Sequence, residues 1–256
     1  MESSSNPLVT IVTVCYNSVS SIEETIISVI NQTYSNLEYI IIDGGSTDGT
    51  TDIIKKYSEY ISIWVSEHDN GIYDAMNKAI LLAKGKWINF MNSGDTFHHN
   101  DVIKEIFQKS NYNKVGVIYG ITNLVYSDFT QLQYPNELTR TNYMPFIHQS
   151  SFVDADLMRK YKFDLNLKIC ADRNLFYKLY SNKILFAYRD IIISNYEVQY
   201  GISSVNYPLL LKEIGIIEEK SNNIFWLIHS AFLITRWKLA KKLPYLKIFY
   251  RYLFSK

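Results

Sequence analysis

The chain has 256 residues, enough for one large domain or for one domain with an appendage. Hydrophobic residues make up 47% of it and charged residues 20%, an ordinary globular balance that excludes low-complexity and fibrous classes. The net charge of +1 gives no indication of a nucleic-acid partner.

The sequence shows no sign of export or of a membrane-spanning helix. The N-terminal stretch MESSSNPLVTIVTV lacks the basic region that precedes a signal-peptide core. No apolar run reaches the roughly 20 residues that a transmembrane helix needs. Cys15 and Cys170 lie in apolar or helical contexts, and we expect both to be reduced. These features predict a cytoplasmic protein, either free or peripherally attached to a membrane.

The first hundred residues predict strands that alternate with helices. A β-branched run at 8–14 is followed by a helix whose start has capping-box spacing at Ser21 and Glu24. The alternation predicts an α/β fold with a mostly parallel sheet and helices on both faces. The further predicted strands are 37–43, 61–67 and 87–91, and the further predicted helices are 50–60 and 71–85.

The pattern changes near residue 110. Strands in a meander are predicted over 115–135, helices at 155–161 and 170–183, and a last strand at 191–200. We treat residues 1–220 as one domain with halves at about 1–110 and 111–220, and residues 221–256 as a tail.

Polar loops follow the predicted strands, and ligands of parallel sheets bind at the carboxyl ends of strands. Asp43 ends a strand, and Gly44 and Gly45 permit a tight turn against a ligand. The Asp43 carboxylate could accept hydrogen bonds from a ribose or base, or the segment is an ordinary turn. The spacing is neither a dinucleotide fingerprint nor a P-loop.

Two further acidic loops allow two interpretations each. Asp69, Asp74 and Lys78 either line a nucleotide pocket or stabilise the helix that they begin. Asp95 closes the stretch Asn-Ser-Gly-Asp after the fourth strand. It either binds Mg²⁺ or Mn²⁺, which prefer oxygen ligands, or caps a following helix.

Four segments in this order resemble the family 2 glycosyltransferases, which are inverting enzymes with the GT-A fold. They read TIVTVCYN, IIDGGSTDGT, EHDNGIYDAMNKAI and INFMNSGD and span residues 8–96. The last two look most like the branch found in bacterial polysaccharide clusters, including colanic-acid and O-antigen enzymes. The resemblance continues more loosely to about residue 205.

The resemblance implies a role for each motif. Tyr16 and Asp43 would contact the nucleoside, and Asp95 would hold a divalent metal, Mn²⁺ or Mg²⁺, at the position of the DxD motif. Many members have Asp where this chain has Asn92 and Gly94, so the donor's diphosphate would supply further metal ligands. The residues assigned to the nucleotide sugar are Tyr16, Asn17, Asp43, Gly44, Asp69, Asp74, Lys78, Asn92, Ser93 and Gly94.

The resemblance also implies a general base, an Asp at the start of a helix. Asp172 is the first candidate and Asp164 the second. His148 and Gln149 resemble a His-Gln stretch that shapes the acceptor side, and Arg173 would contact a phosphate or face solvent. Residues 199–204 resemble a loop that closes over the diphosphate.

The tail combines positive charge with aromatic residues. Residues 222–256 contain seven Lys or Arg and no Asp or Glu. Basic, aromatic, amphipathic helices lie at the surface of anionic membranes. The alternative is a pair of helices that pack on the domain or on a dimer partner.

Together these features predict an inverting glycosyltransferase on the cytoplasmic face of the inner membrane. It would transfer a sugar from a UDP-hexose or UDP-HexNAc to a polyprenyl-diphosphate-linked glycan, for O-antigen, capsule or exopolysaccharide. Two alternatives stay open. One is a non-catalytic sugar-nucleotide-binding scaffold, and the other is a sugar nucleotidyltransferase, against which the lack of a basic residue in CYNSVSS argues.

Overall fold

The computed structural model describes residues 6–108, 110–139, 143–198 and 206–242. The chain forms two compact units, Met1–Gln199 and Tyr200–Lys256. The sequence suggests a boundary nearer residue 220. The residues of the polar loops all belong to the first unit.

The first half of the larger unit has the predicted alternation. Its strands pair in parallel, β1 with β2 and β4, and β2 with β3. The elements are β1 (Val9–Cys15), α1 (Ile22–Ile30), β2 (Leu37–Asp43), α2 (Thr50–Lys56), β3 (Ile63–Ser66), α3 (Ile72–Leu82) and β4 (Trp87–Phe90).

The second half is mixed. The elements are β5 (Thr96–Phe97), α4 (Val102–Phe107), β6 (Val115–Val125), β7 (Thr130–Gln133), β8 (Ser151–Asp154), α5 (Ala155–Tyr161), α6 (Ala171–Ser181) and β9 (Leu185–Glu197). The predicted meander is a hairpin of β6 and β7 only, because β6 also pairs in parallel with β9 and antiparallel with β8. The sequence pattern did not predict β5, β8 or α4.

Within the described residues, nine strands form one sheet in the order β3-β2-β1-β4-β8-β6-β9-β5, with β7 on β6. β8 runs antiparallel to β4, with Asp154 opposite Trp87. A short 3-10 helix, His148–Ser150, leads into β8. Because of the antiparallel direction, this turn lies at the sheet edge where β4 ends. The edge therefore collects the loops after β1 to β4 and also the start of β8.

The buried residues of β1 and α1 form the core beside this edge of the sheet. Every residue of β1 is buried, as expected for a strand with helices on both faces of its sheet. From α1, Ile22 and Ile26 are fully buried, and each such side chain contributes about 1.5–3 kcal/mol. The capping box predicted at the start of α1 is wrong, because Ser21 makes no side-chain cap bond.

The smaller unit contains α7 (Tyr207–Ile217) and α8 (Ile224–Lys242). Gly215 lets the helices approach closely, since a Cβ there would lie 2.5 Å from Trp226 Nε1. The Tyr207 and Trp237 rings stack with centroids 6.2 Å apart.

Apolar side chains occur on both sides of α8. Trp226 and Trp237 face α7, whereas Ile224, Phe225 and Phe232 are exposed. α8 therefore lacks the separate apolar and polar faces of the amphipathic helix that the sequence suggests. In the described part of the chain, every helix falls short of what a membrane span requires. The rest of the basic tail, residues 243–256, lies outside the described residues.

Candidate active site

The loops after β1 and β2 are joined to each other. Asn17 Oδ1 accepts a hydrogen bond from Thr47 N at 3.0 Å, and Asn17 N donates to Ser46 Oγ at 2.7 Å. Asn17 has a φ of +48°, a left-handed conformation that Asn tolerates better than most residues. This geometry leaves the neighbouring Tyr16 side chain exposed at the edge of the sheet.

Asp43 organises the loop that follows it. Its buried carboxylate accepts hydrogen bonds from Gly45 N, from Ser46 N and Oγ, and from Ser66 Oγ. Burial acts to raise the pKa of Asp43, but the bonds from Ser46 and Ser66 hold it below the usual value of 3.8. The predicted contact of Asp43 with a nucleoside stays a prediction.

Three of the predicted nucleotide residues lie together beside this loop. A Cβ on Gly44 would lie 2.6 Å from Asp69 Oδ2 and 3.4 Å from Tyr16 Cδ2. The absence of a Cβ at Gly44 therefore lets the Asp69 carboxylate approach the backbone this closely. Asp69 Oδ1 accepts a hydrogen bond from Gly71 N at 2.8 Å, which fixes the carboxylate at the start of α3.

Lys78 and Asp74 are ion-paired near the same loop. Lys78 Nζ lies 2.9 Å from Glu67 Oε1 and 3.8 Å from Asp74 Oδ2. The hydrogen bond with Glu67 is the main cause of a raised pKa for Lys78. These pairs correspond to the solvated-pair interpretation of Asp74 and Lys78, and their contact with a nucleotide stays a prediction.

The start of α1 holds the Asn-Ser-Gly-Asp loop. Ser21 Oγ lies 3.1 Å from Ser93 Oγ, which is the contact that replaces the expected capping box. Thr25 Oγ1 accepts a hydrogen bond from Gly94 N at 3.0 Å and donates one to Asp95 O at 2.8 Å. Gly94 has a φ of +99°, so the loop needs glycine at this position.

Asp95 is buried, with 5% of its surface exposed. Its Oδ2 accepts a hydrogen bond from Gln149 Nε2 at 2.6 Å, and its Oδ1 accepts one from Glu197 N at 3.1 Å. Burial raises the pKa of Asp95 from 3.8 to about 7. The helix-cap interpretation of Asp95 is wrong, because α4 begins only at Val102.

Gln149, which donates to Asp95, also carries an amide oxygen of the kind that hard divalent cations bind. Three buried amide oxygens have no hydrogen-bond partner among the described residues: Asn89 Oδ1, Asn92 Oδ1 and Gln149 Oε1. Mg²⁺ and Mn²⁺ prefer such oxygens together with carboxylate. Residues 6–108, 110–139, 143–198 and 206–242 contain no group of three or more His, Cys, Asp or Glu that could hold a metal. A metal here would therefore need oxygens from a ligand as well.

Asp172 lies in the first turn of α6 with 18% of its side chain exposed. Its Oδ1 accepts a hydrogen bond from Arg173 N at 2.8 Å and lies 3.2 Å from the Tyr73 hydroxyl, while its Oδ2 lies 3.3 Å from His148 Nδ1. Burial acts to raise the pKa of Asp172, but the hydrogen bond and charge of His148 hold it below 3.8.

The other residues expected near the base have separate partners. Asp164 Oδ1 accepts two hydrogen bonds from Asn166 within its own turn, so Asp172 is the better candidate. Arg173 Nε donates to the Tyr143 hydroxyl at 2.8 Å. His148 and Gln149, expected on the acceptor side, face Asp172 and Asp95. The predicted loop at 199–204 lies outside the described residues.

Two residues of this site, Tyr73 and Asn89, were not predicted from the sequence. Tyr73 contacts Asp172, but an aromatic side chain near the start of a helix is usually taken as core. Asn89 is fully buried in β4, and its Nδ2 donates to Gln149 O and Ser151 O at 2.8 Å each. A polar residue inside an otherwise apolar strand was the available signal, because buried polar groups need partners.

Comparison with solved structures confirms the predicted GT-A fold. TarS 1–349 of S. aureus, in complex with UDP-GlcNAc, has a TM-score of 0.66 at 18% identity, over 82% of this chain and 66% of that chain. The mannosyltransferase PcManGT from Pyrobaculum calidifontis, in complex with GDP-Man and Mn²⁺, has a TM-score of 0.67 at 16% identity, over 96% and 79%. The chain thus spans slightly less than two thirds of the TarS chain.

Comparison of sequences gives the family. An uncharacterized glycosyltransferase of Mycobacterium tuberculosis is 32% identical over 176 residues, which are 66% of this chain and 67% of the relative. TuaG of Bacillus subtilis, a putative teichuronic acid biosynthesis glycosyltransferase, is 37% identical over 103 residues, 39% of this chain and 41% of TuaG. The pattern of Glycosyl transferase family 2 matches residues 10–171, and the chain belongs to this glycosyltransferase family.

Proposed function

We propose that this glycosyltransferase inverts the anomeric centre while it moves a sugar from a nucleoside-diphosphate donor to a hydroxyl of a lipid-linked glycan. The observation that carries the proposal is the pair of carboxylates at one sheet edge. Asp95 and Asp172 are contacted by Gln149 and His148, adjacent residues of one turn. A metal ligand and a general base are the two groups that such a transfer needs.

The donor is a UDP-hexose or UDP-HexNAc. The cluster of Tyr16, Gly44 and Asp69 offers an exposed aromatic ring and a carboxylate to a nucleoside, and the buried Gly44 lies between them. The complexes of TarS with UDP-GlcNAc and of PcManGT with GDP-Man support a nucleotide sugar as the donor. The name of TuaG supports a role in bacterial surface polysaccharide synthesis.

The chemistry follows from the two carboxylates. Asp95, with the amide of Gln149 beside it, would hold Mn²⁺ or Mg²⁺, which when bound would neutralise the diphosphate leaving group. Asp172 is ionised at neutral pH because its pKa is lowered, so it can take the proton of the acceptor hydroxyl. The acceptor oxygen bonds to the anomeric carbon as the bond to the diphosphate breaks. Attack on the face opposite the leaving group gives inversion.

The decisive experiment measures binding and hydrolysis of UDP-glucose, UDP-galactose and UDP-GlcNAc, with Mn²⁺ or with EDTA. Asp95→Ala should abolish metal-dependent donor binding. Asp172→Asn should lower turnover by about 10²–10⁴-fold and leave donor binding unchanged. Asp164→Asn is the matched control, since Asp164 bonds within its own turn.

The outcomes separate the proposal from its alternatives. A scaffold would bind a UDP-sugar without turnover, and Asp172→Asn would then change nothing. A nucleotidyltransferase would make a UDP-sugar from UTP and a sugar phosphate. Binding of no sugar nucleotide, with Mn²⁺ present, would contradict the transferase proposal.

The acceptor is a polyprenyl-diphosphate-linked glycan, reached from the cytoplasmic face of the inner membrane. Support comes from the exposed apolar side chains Phe225 and Phe232 on α8 and from the basic tail, which together suit an anionic membrane surface. The full chain should sediment with vesicles that contain phosphatidylglycerol. Phe232→Ser combined with Lys238→Glu should weaken this binding about tenfold, whereas Lys55→Glu on α2 should not. Equal binding to neutral vesicles would contradict the charge contribution.

A further inference from the structure

The imidazole of His148 lies between two residues of the proposed site. Its Nδ1 is 3.3 Å from Asp172 Oδ2, and its Nε2 is 3.2 Å from Asn92 Nδ2. The backbone of the turn is fixed, because Ser151 Oγ donates to His148 O at 2.7 Å. The ring is only 18% exposed. His148 therefore bridges the start of α6 and the Asn-Ser-Gly-Asp loop.

The contacts determine which ring nitrogen carries a proton. A carboxylate only accepts hydrogen bonds, so the nitrogen that faces Asp172 must be Nδ1–H. Nε2 then accepts from the Asn92 amide. With that amide reversed, Nε2–H would instead donate to Asn92 Oδ1, an oxygen without a partner in the described part of the chain. In both arrangements, Nδ1–H points at Asp172.

The two oxygens of Asp172 have different partners. Oδ1 accepts from Arg173 N and lies near the Tyr73 hydroxyl, which is closer to Ile169 O, at 2.6 Å. Oδ2 faces His148. The position of Asp172 Oδ2 therefore depends on the imidazole of His148.

We propose that His148 is a positioning residue of the transfer reaction. Its Nδ1–H holds the Asp172 carboxylate, and its contact with Asn92 ties that carboxylate to the Asn-Ser-Gly-Asp loop. The inference rests on the proposed function, because it takes Asp172 as the base. In this role His148 acts through Asp172 and not on a reacting atom.

The electrostatics around the pair agree with this role. The titratable and charged groups around Asp172 are His148, Tyr73 and Arg173, and Asp95 is a further carboxylate whose charge interacts with His148. Burial acts to raise the pKa of Asp172, and His148 is the largest influence that lowers it. Without the imidazole, the pKa of Asp172 would lie higher than in the wild type, although the bonds from Arg173 N and Tyr73 would still lower it.

Two substitutions separate the contacts of the ring. His148→Asn keeps an N–H donor near the position of Nδ1, and His148→Gln keeps one near Nε2. In UDP release from UDP-glucose, UDP-galactose and UDP-GlcNAc, His148→Gln should lower kcat about 100-fold and leave donor Kd unchanged. It should also move the acidic limb of the kcat–pH profile to higher pH. His148→Asn should stay within about tenfold of wild type.

Equal losses in both variants, or a loss confined to donor Kd, would overturn the proposal and leave His148 a purely structural residue. An unmoved acidic limb in His148→Gln would also overturn it.

A second measurement on the full chain is independent of activity. Long-range ¹H–¹⁵N spectra, with His148 assigned by its loss in His148→Asn, should show a protonated Nδ1 that Asp172→Asn perturbs. An Nε2–H tautomer, or signals insensitive to Asp172→Asn, would overturn the proposal. If wild type releases no UDP, the proposed function fails while these spectra still decide whether His148 holds Asp172.

Discussion

Asp95→Asn should stabilise the protein at neutral pH while it destroys the proposed metal ligand. The substitution replaces a buried carboxylate with a neutral amide of nearly the same shape. Burial raises the pKa of Asp95 from 3.8 to about 7. Between these values the unfolded chain releases its proton before the folded chain does, so the folded state loses stability as pH rises. The loss begins near pH 4 and is nearly complete above about pH 7.

The magnitude follows from the two pKa values. The difference between about 7 and 3.8, at 1.36 kcal/mol for each pKa unit, gives about 4 kcal/mol at pH 8. The same relation gives about 2 kcal/mol at pH 5. The new amide can keep both hydrogen bonds. Gln149 can turn its unpartnered Oε1 toward the new N–H, and Glu197 N can donate to the remaining oxygen.

The assay is urea unfolding in EDTA at pH 5 and pH 8, followed by circular dichroism. The variant should exceed wild type by about 2 kcal/mol at pH 5 and by up to about 4 kcal/mol at pH 8. Asp52→Asn, at a side chain that is 78% exposed, should show no such difference. A variant that is less stable than wild type at pH 8, or a gain that does not grow with pH, would refute the reasoning.

Three further substitutions or treatments test other parts of the site. Gly44→Ala brings a methyl group to 2.6 Å from Asp69 Oδ2 and should displace this carboxylate. Titration calorimetry should then show at least roughly tenfold weaker binding of UDP-GlcNAc, and an unchanged Kd would contradict the predicted pocket. Tyr73→Phe removes a hydroxyl that lies 3.2 Å from Asp172 Oδ1, so urea unfolding should show a loss of about 1 kcal/mol, and equal stability would make this hydroxyl dispensable. Burial raises the pKa of Cys15, so at pH 8 this thiol in the native protein should react with iodoacetamide about 100-fold more slowly than free cysteine. Rapid labelling of Cys15 in mass spectrometry would contradict this.

The first half of the sheet was predictable because its signals are local. β1 and β2 are rich in β-branched and apolar residues, and each ends at a turn-forming loop. The second half depends on pairing between distant segments, which a single sequence does not specify. β8 is only four residues long, and β9 begins at Leu185, six residues before the predicted strand, because β6 extends alongside it.

The same difference between local signals and distant pairing explains which residues of the site could be predicted. Asp43, Asp69 and Asp95 follow parallel strands, so the rule about carboxyl ends placed them at one edge. His148 and Gln149 precede a strand and came only from the resemblance. They reach the edge because β8 is antiparallel to β4, a pairing that the sequence analysis missed. Their actual partners, the two carboxylates, could be read only from the folded structure.

The two carboxylates of the proposed site have opposite environments, and one turn accounts for part of the difference. Asp95 receives a neutral amide from Gln149, which does little to offset the burial that raises its pKa. Asp172 receives an imidazole from His148, which outweighs burial and lowers its pKa. A carboxylate that burial disfavours gains most from a bound cation, and one that stays ionised is ready to accept a proton. Groups whose pKa values are pushed apart in this way take different roles in a reaction. The asymmetry agrees with the proposed roles of Asp95 as metal ligand and Asp172 as base.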